Sequence, residues 1–174
     1  SIFEHNYSIS SGAGLRLTTD ADADLIKNVD FTRNTASANG GAISGGIIKN
    51  IDSTKFISNE ANVSGGAFDV YYLNSLDNSV FKRNVTKSST GGAIFVNYGI
   101  DDIKNTLFEN NIAYSGGGAI SLADRAFVDV IKDTIFRGNK SLSNGGGAIY
   151  APASSTYISR MLSEIDGAIF DSNI

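Results

Sequence analysis

The sequence predicts an all-β solenoid, a parallel β-helix of about six coils with three short strands per coil, and three observations lead there. One tetrapeptide recurs along the whole chain, apolar residues between the copies alternate with period two, and glycine is too frequent for a helical repeat, at 19 of 174 residues. The tetrapeptide is Phe-x-x-Asn. It occurs at Phe3–Asn6, Phe31–Asn34, Phe56–Asn59, Phe81–Asn84, Phe108–Asn111, Phe136–Asn139 and Phe170–Asn173, at intervals of 25 to 34 residues. A repeat of that length is one supersecondary unit, which buries its apolar face only by stacking on its neighbours. A propeller blade of four strands needs about 40 residues or more, so the interval excludes it.

Nine or ten residues after each of the first six Phe positions comes a glycine step. Five of these steps read Gly-Gly-Ala-Ile or Gly-Gly-Ala-Phe and begin at Gly40-Gly41, Gly65-Gly66, Gly91-Gly92, Gly117-Gly118 and Gly146-Gly147; the first is the degenerate Gly12-Ala13-Gly14-Leu15. From the apolar residue that ends the step to the next Phe the distance varies, from 13 to 21 residues. One corner of the coil is therefore fixed and another accepts insertions, as a loop in solvent does.

The three strands follow from the apolar pattern. The first starts after the glycines (Ile43, Phe68, Ile94, Ile120, Ile149), the second reads as Leu25–Val29, Ile48–Ile51, Leu73–Leu76, Ile100–Ile103 and Val128–Ile131, and the third carries the Phe. Stacked at about 4.8 Å per coil, the Phe side chains form one internal column and the residues after Gly-Ala a second. The Asn leaves the strand at a turn, where its amide bonds to the backbone, tolerates a left-handed conformation, or bonds to the Asn of the next coil. The glycine pairs suit a corner that demands positive φ or close backbone approach. Gly167-Ala168-Ile169 precedes its Phe where the other steps follow theirs, which predicts an irregular last unit.

Composition narrows the function. Net charge is −4 with a pI near 4.9 and no run of Lys or Arg, which speaks against nucleic acid as a partner. No stretch is long and apolar enough to span a membrane, and cysteine is absent, so disulfides and thiol chemistry are excluded while the compartment stays open. The chain opens on a repeat and ends just after one, with no capping unit. Residues 1–174 thus read as a single β-helix segment, a fragment of a longer array.

Phe-x-x-Asn alternating with Gly-Gly-Ala-Ile/Leu/Val is the signature of the polymorphic membrane proteins of chlamydiae, and this chain resembles their passenger region along essentially its whole length. The resemblance implies a right-handed parallel β-helix displayed on the cell surface, joined in the full protein to a membrane β-barrel and acting as an adhesin for a host-cell receptor, protein or glycan. Similar repeats occur in surface proteins of other bacteria and archaea, so the source organism does not follow.

No constellation for catalysis stands out, and the sequence is read as non-enzymatic, without cofactor or metal. Asp20, Asp22 and Asp24 alternate and can point three carboxylates to one side of a strand, but no calcium-loop spacing accompanies them; a solvated loop is the plainer reading, and calcium there stays open. Asp101-Asp102, and Asp129 with Asp133, fall between core positions as outward charge. His5 is the sole histidine and has no partner at metal-ligand spacing. The glycine steps lead into strands, where a phosphate loop leads into a helix.

Recognition is the remaining function. Residues at outward parity after the glycines are Ser44, Asp69, Phe95, Ser121 and Tyr150, and the two aromatics, Phe95 and Tyr150, stand where polar residues are the rule. Tyr71, Tyr72 and Tyr98 follow just beyond. Tyr72 and Tyr98 are each four residues past equivalent core positions, so they stack across coils either on the outside or as a third internal column. The longest insertion, Tyr150 to Glu164, holds the only proline, Pro152. Its Ala151–Thr156 segment reads as a contact loop or a disordered excursion, with a short helix at Ile158–Leu162 as a further reading. The candidate receptor-contact residues are therefore Phe95, Tyr150, Tyr72, Tyr98 and Pro152. Unpaired edges at both ends predict end-to-end self-association at high concentration. Two other functions stay open: a stalk without its own ligand, and a polysaccharide lyase or hydrolase.

Overall fold

Every Phe-x-x-Asn copy opens a new coil. The computed structural model describes residues 1–18, 21–152 and 161–174, and among them it contains strands and turns but no helix. All strand pairings are parallel and join residues one coil apart, so the chain is a β-solenoid of three sheets with seven, six and ten strands.

The seven-stranded sheet is built from the Phe segments, Ile2–Glu4, Asp30–Thr32, Lys55–Ile57, Val80–Lys82, Leu107–Glu109, Ile135–Arg137 and Ile169–Asp171. Its register sets each Phe directly over the next. The rings form one uninterrupted stack with centroids 4.5–5.1 Å apart and planes within 3–15° of parallel. Phe31, Phe56, Phe81, Phe108 and Phe136 are fully buried. A second column of Leu15, Ile43, Phe68, Ile94, Ile120 and Ile149 faces it across the core.

The other two sheets are constituted differently from the expectation. The post-glycine segment and the segment after it belong to a single sheet, and in two coils they run as one strand, Phe68–Asp77 and Ile94–Lys104. The third face is made by a two-residue strand just after each Asn, such as Thr35–Ala36, Glu60–Ala61 and Val85–Thr86. Four of the six bury one small residue each, Ala36, Ala61, Thr86 and Ala113, while Ser8 and Ser141 in the end strands are half-buried.

The Asn residues do not take the left-handed conformation themselves. It falls one residue earlier, at His5, Arg33, Ser58, Arg83, Asn110, Gly138 and Ser172, with φ between 53° and 59°. That turn directs the Asn side chain inward, where Asn34, Asn59, Asn84, Asn111 and Asn139 are wholly buried and bonded to one another. In the Asn84 rung, the backbone N–H and Nδ2 of Asn59 both donate to Asn84 Oδ1, at 3.0 and 3.1 Å, while Asn84 Nδ2 donates to Phe56 O at 2.9 Å and to Asn111 Oδ1 at 3.0 Å. The same bonds join Asn6 to Asn34, Asn34 to Asn59, Asn111 to Asn139 and Asn139 to Asn173. A second left-handed turn lies three residues before each Phe, at Asn28, Ser53, Asn78, Asn105, Asp133 and Gly167. After it comes a buried hydroxyl ladder in which the N–H groups of Thr54 and Ser79 donate to Ser79 Oγ and Thr106 Oγ1. Gly167 therefore fills a regular position, and the Phe170 strand pairs in register with its neighbour, contrary to the irregular last unit expected.

The two glycines of a step do different work. Gly40, at φ 60°, makes a left-handed turn. Gly66 does not; its Cα lies against the carbonyl of Gly92 and the backbone of Val85, so a Cβ there has no room.

Candidate functional site

Among the described residues, the outer side of the ten-stranded sheet carries three of the six exposed aromatic residues, Tyr71, Tyr98 and Tyr150. In register, the outward row of the post-glycine strands runs Arg16, Ser44, Asp69, Phe95, Ser121, Tyr150. Outward parity alone predicts exposure along this row, yet Ser44, Asp69 and Ser121 are buried and Phe95 is half-buried; Tyr150 is 36% exposed. The preceding corner accounts for this by folding over the strand. Ser64 Oγ donates to Asp69 Oδ2 at 2.8 Å, and the Gly117 N–H donates to Ser121 Oγ at 2.6 Å. Asn97 Nδ2 donates to the other Asp69 oxygen at 2.8 Å. Burial raises the Asp69 carboxyl above its ordinary pKa, while these two hydrogen bonds hold it back.

Beyond this row, Tyr71, Tyr72, Tyr98 and Phe127 form one aromatic cluster. Tyr71 stacks on Tyr98 at 5.6 Å, and Tyr72, Tyr98 and Phe127 meet edge-to-face at 5.8–6.3 Å. Tyr71 is 42% and Tyr98 53% exposed, so the tyrosines stand outside and do not form a third internal column. Equal spacing predicts Tyr72 and Tyr98 in register, and they are not. The pairing slips by one residue after Val70, and Tyr72 lies opposite Gly99, with Phe127 on the far side of that glycine. A Cβ on Gly99 would run into the Phe127 ring. Phe127 is the member that sequence reasoning missed, and its signal is this bare glycine one coil away.

Carboxylates frame the cluster. Tyr72 donates to Asp101 Oδ1 at 2.6 Å, Asn74 Nδ2 donates to Asp101 Oδ2 at 3.0 Å, and Ser163 donates to Asp129 at 2.9 Å. The bond to Asp101, with some burial, pushes the Tyr72 phenol up to about 12. Because the folded value lies above the ordinary one, this contribution to stability is complete below about pH 10 and is lost as pH rises toward 12. Asp101→Ala removes the largest cause, the hydrogen bond that Tyr72 donates. Absorbance titration at alkaline pH should then show one tyrosine moving back toward the ordinary tyrosine range, and an unchanged titration curve would contradict the assignment.

The remaining candidates are dispersed. Asp24 forms an exposed ion pair with Lys49 at 2.6 Å, which lowers the Asp24 pKa, and Asp22 is also exposed. Asp20 lies outside the described residues. Asp102 pairs with Lys104, and Asp133 occupies a left-handed turn. Among the described residues no three His, Asp or Glu side chains lie close enough to hold a metal ion. Pro152 is half-buried beside Ala151; the rest of the expected contact loop, 153–156, and most of the alternative helix fall outside the described residues, while Leu162 begins a strand, Leu162–Asp166.

A family model described as the Chlamydia polymorphic membrane protein repeat matches residues 28–46, 105–123 and 133–152, about a third of the chain. Each match starts at the left-handed turn before a Phe (Asn28, Asn105, Asp133) and runs through the amide rung and the glycine corner. No curated protein and no solved structure matches the chain. The ladder that builds these coils is thus the one the matched segments encode, and the protein is a β-solenoid that carries the Chlamydia polymorphic membrane protein repeat at three sites.

Proposed function

We propose that this solenoid is the surface-displayed passenger segment of an autotransporter-type protein and that it attaches to a receptor, protein or glycan, on a host cell. The observation that carries the reading is the aromatic cluster of Tyr71, Tyr72, Tyr98 and Phe127, set on a rigid sheet and framed by Asp101 and Asp129. Aromatic side chains held in place offer large contact area at little entropic cost, and solvent-exposed clusters of them mark interaction surfaces. Tyr150 and Phe95 extend the same face along the axis. The role we propose is binding without chemistry, in keeping with the repeat.

The test is adhesion of beads coated with the purified chain to cultured epithelial cells. Tyr72→Ser combined with Phe127→Ser, at part-exposed positions, should leave the β-rich circular dichroism intact and reduce bead attachment about tenfold or more, since two anchors at roughly 1 kcal/mol or more each are removed. Equal attachment by the double variant sinks the proposed surface. No attachment by the unaltered chain favours a stalk that holds a binding site elsewhere.

A further inference from the structure

Beside the aromatic cluster is a cleft of about 320 Å³ on the same face, lined by Ser11, Arg16, Ser44, Gly46, Tyr71 and Asn97 among others. It exists because one coil departs from its neighbours. Where the third coil continues its strand through Val70 and Tyr71, the second coil has Gly45 and Gly46, both left-handed at φ 81° and 72°. The pairing of Ser44 with Asp69 and of Ile47 with Tyr72 puts Gly46 in the place of Tyr71, one coil down. A side chain is missing where the coil above carries an aromatic ring.

Tyr71 consequently has two unlike faces. One stacks on Tyr98 in the following coil; the other looks over the glycine gap into the cleft. A flat aromatic face above a ring-sized opening suits the C–H face of a pyranose, whose weakly positive hydrogens meet the negative face of the ring. Around that position the lining offers hydroxyls from Ser11 and Ser44 and the amide of Asn97, which buried Asp69 holds in place. The single charged residue of the lining is Arg16. Among the described residues it forms no ion pair and holds only a long bond, 3.4 Å, to Ser10 Oγ. Its guanidinium fork is matched to a carboxylate.

We infer that this cleft binds a carboxylate-bearing sugar residue of a glycan, with the pyranose against Tyr71 and its acid group on Arg16. The site shares Tyr71 with the attachment surface proposed above, but that surface is tested at Tyr72 and Phe127, outside the cleft lining, so either test can fail without the other. Saturation-transfer NMR on the purified chain tests it, with 3′-sialyllactose and sodium D-glucuronate as acidic sugars, lactose as the neutral sugar and sodium acetate as an acid without a ring. Transfer to the ring protons of at least one acidic sugar is expected, with lactose and acetate at least about tenfold weaker. Arg16→Gln should weaken the acidic sugar by about tenfold or more, and Tyr71→Ala should abolish transfer, with the circular dichroism of both unchanged. The inference is overturned if neither acidic sugar gives transfer at millimolar concentration, if lactose or acetate equals them, or if both variants bind as the unaltered chain does.

Discussion

Replacing Asn84 by Ala should cost about 3–5 kcal/mol of stability. The side chain sits wholly buried in the middle of the amide ladder and makes bonds on both sides. Its removal leaves the Asn59 backbone N–H without its side-chain acceptor and takes one bond each from Asn59 Nδ2, Phe56 O and Asn111 Oδ1; Asn59 Nδ2 keeps its bond to Phe31 O, and Asn111 Oδ1 keeps the backbone N–H of residue 84. A buried group without its partner costs about 1–3 kcal/mol, and the stack cannot relax around these losses without shifting whole coils. Urea unfolding followed by circular dichroism measures the loss directly. Asn84→Asp separates hydrogen bonding from shape. A carboxylate still accepts from Asn59 but turns charge toward the Phe56 and Asn111 oxygens, so its folded pKa is raised. Its deficit relative to the unaltered chain should therefore shrink at low pH, where the acid is protonated, and grow as pH rises through that pKa. A midpoint for Asn84→Ala within about 0.5 kcal/mol of the unaltered chain would show the ladder to be ornamental.

Phe81→Ala is expected to rank beside it, at about 3–5 kcal/mol. Phe81 is fully buried between Phe56 at 4.5 Å and Phe108 at 4.9 Å. Truncation leaves a ring-sized void in a column whose neighbours are pinned by their own strand pairings, Phe56 and Phe108 each being hydrogen-bonded in register across the sheet. Collapse into the void is therefore limited, which puts the cost toward the upper end of the range. Phe81→Leu refills most of the volume and should lose less than about half as much. If Ala and Leu prove equally mild in the same unfolding assay, the ring stack contributes shape without cohesion.

The repeat was legible because identical residues fall at identical stations. Phe, Asn and the Gly pair each do a job that no other residue does as well, so selection for the job writes the same letter in every coil. The two-residue strands after each Asn were not legible. They are too short for period-two alternation, and the residue each buries varies between Ala and Thr. The hydroxyl ladder was hidden for a related reason, since Thr54, Ser79, Thr106 and Thr134 serve interchangeably. Parity placed Ser44, Asp69 and Ser121 outward correctly and yet misjudged their exposure, because it takes no account of the corner that covers them. Equal spacing placed Tyr72 and Tyr98 side by side, and one extra residue after Val96 defeated it. The cleft at Gly46 depends on what a coil lacks compared with the next, a difference that repeat-finding averages away.

The amide column also has a direction. Every rung hands two hydrogen bonds toward the C-terminal neighbour and takes two from the N-terminal one. Such a column has no midpoint and no preferred length. A whole coil inserted, deleted or duplicated leaves both cut surfaces complementary, whereas any fraction of a coil does not. Genes built this way can lengthen or shorten their product in quanta of one turn at almost no structural risk, and diversity is then confined to the number of turns and to the side chains that face outward.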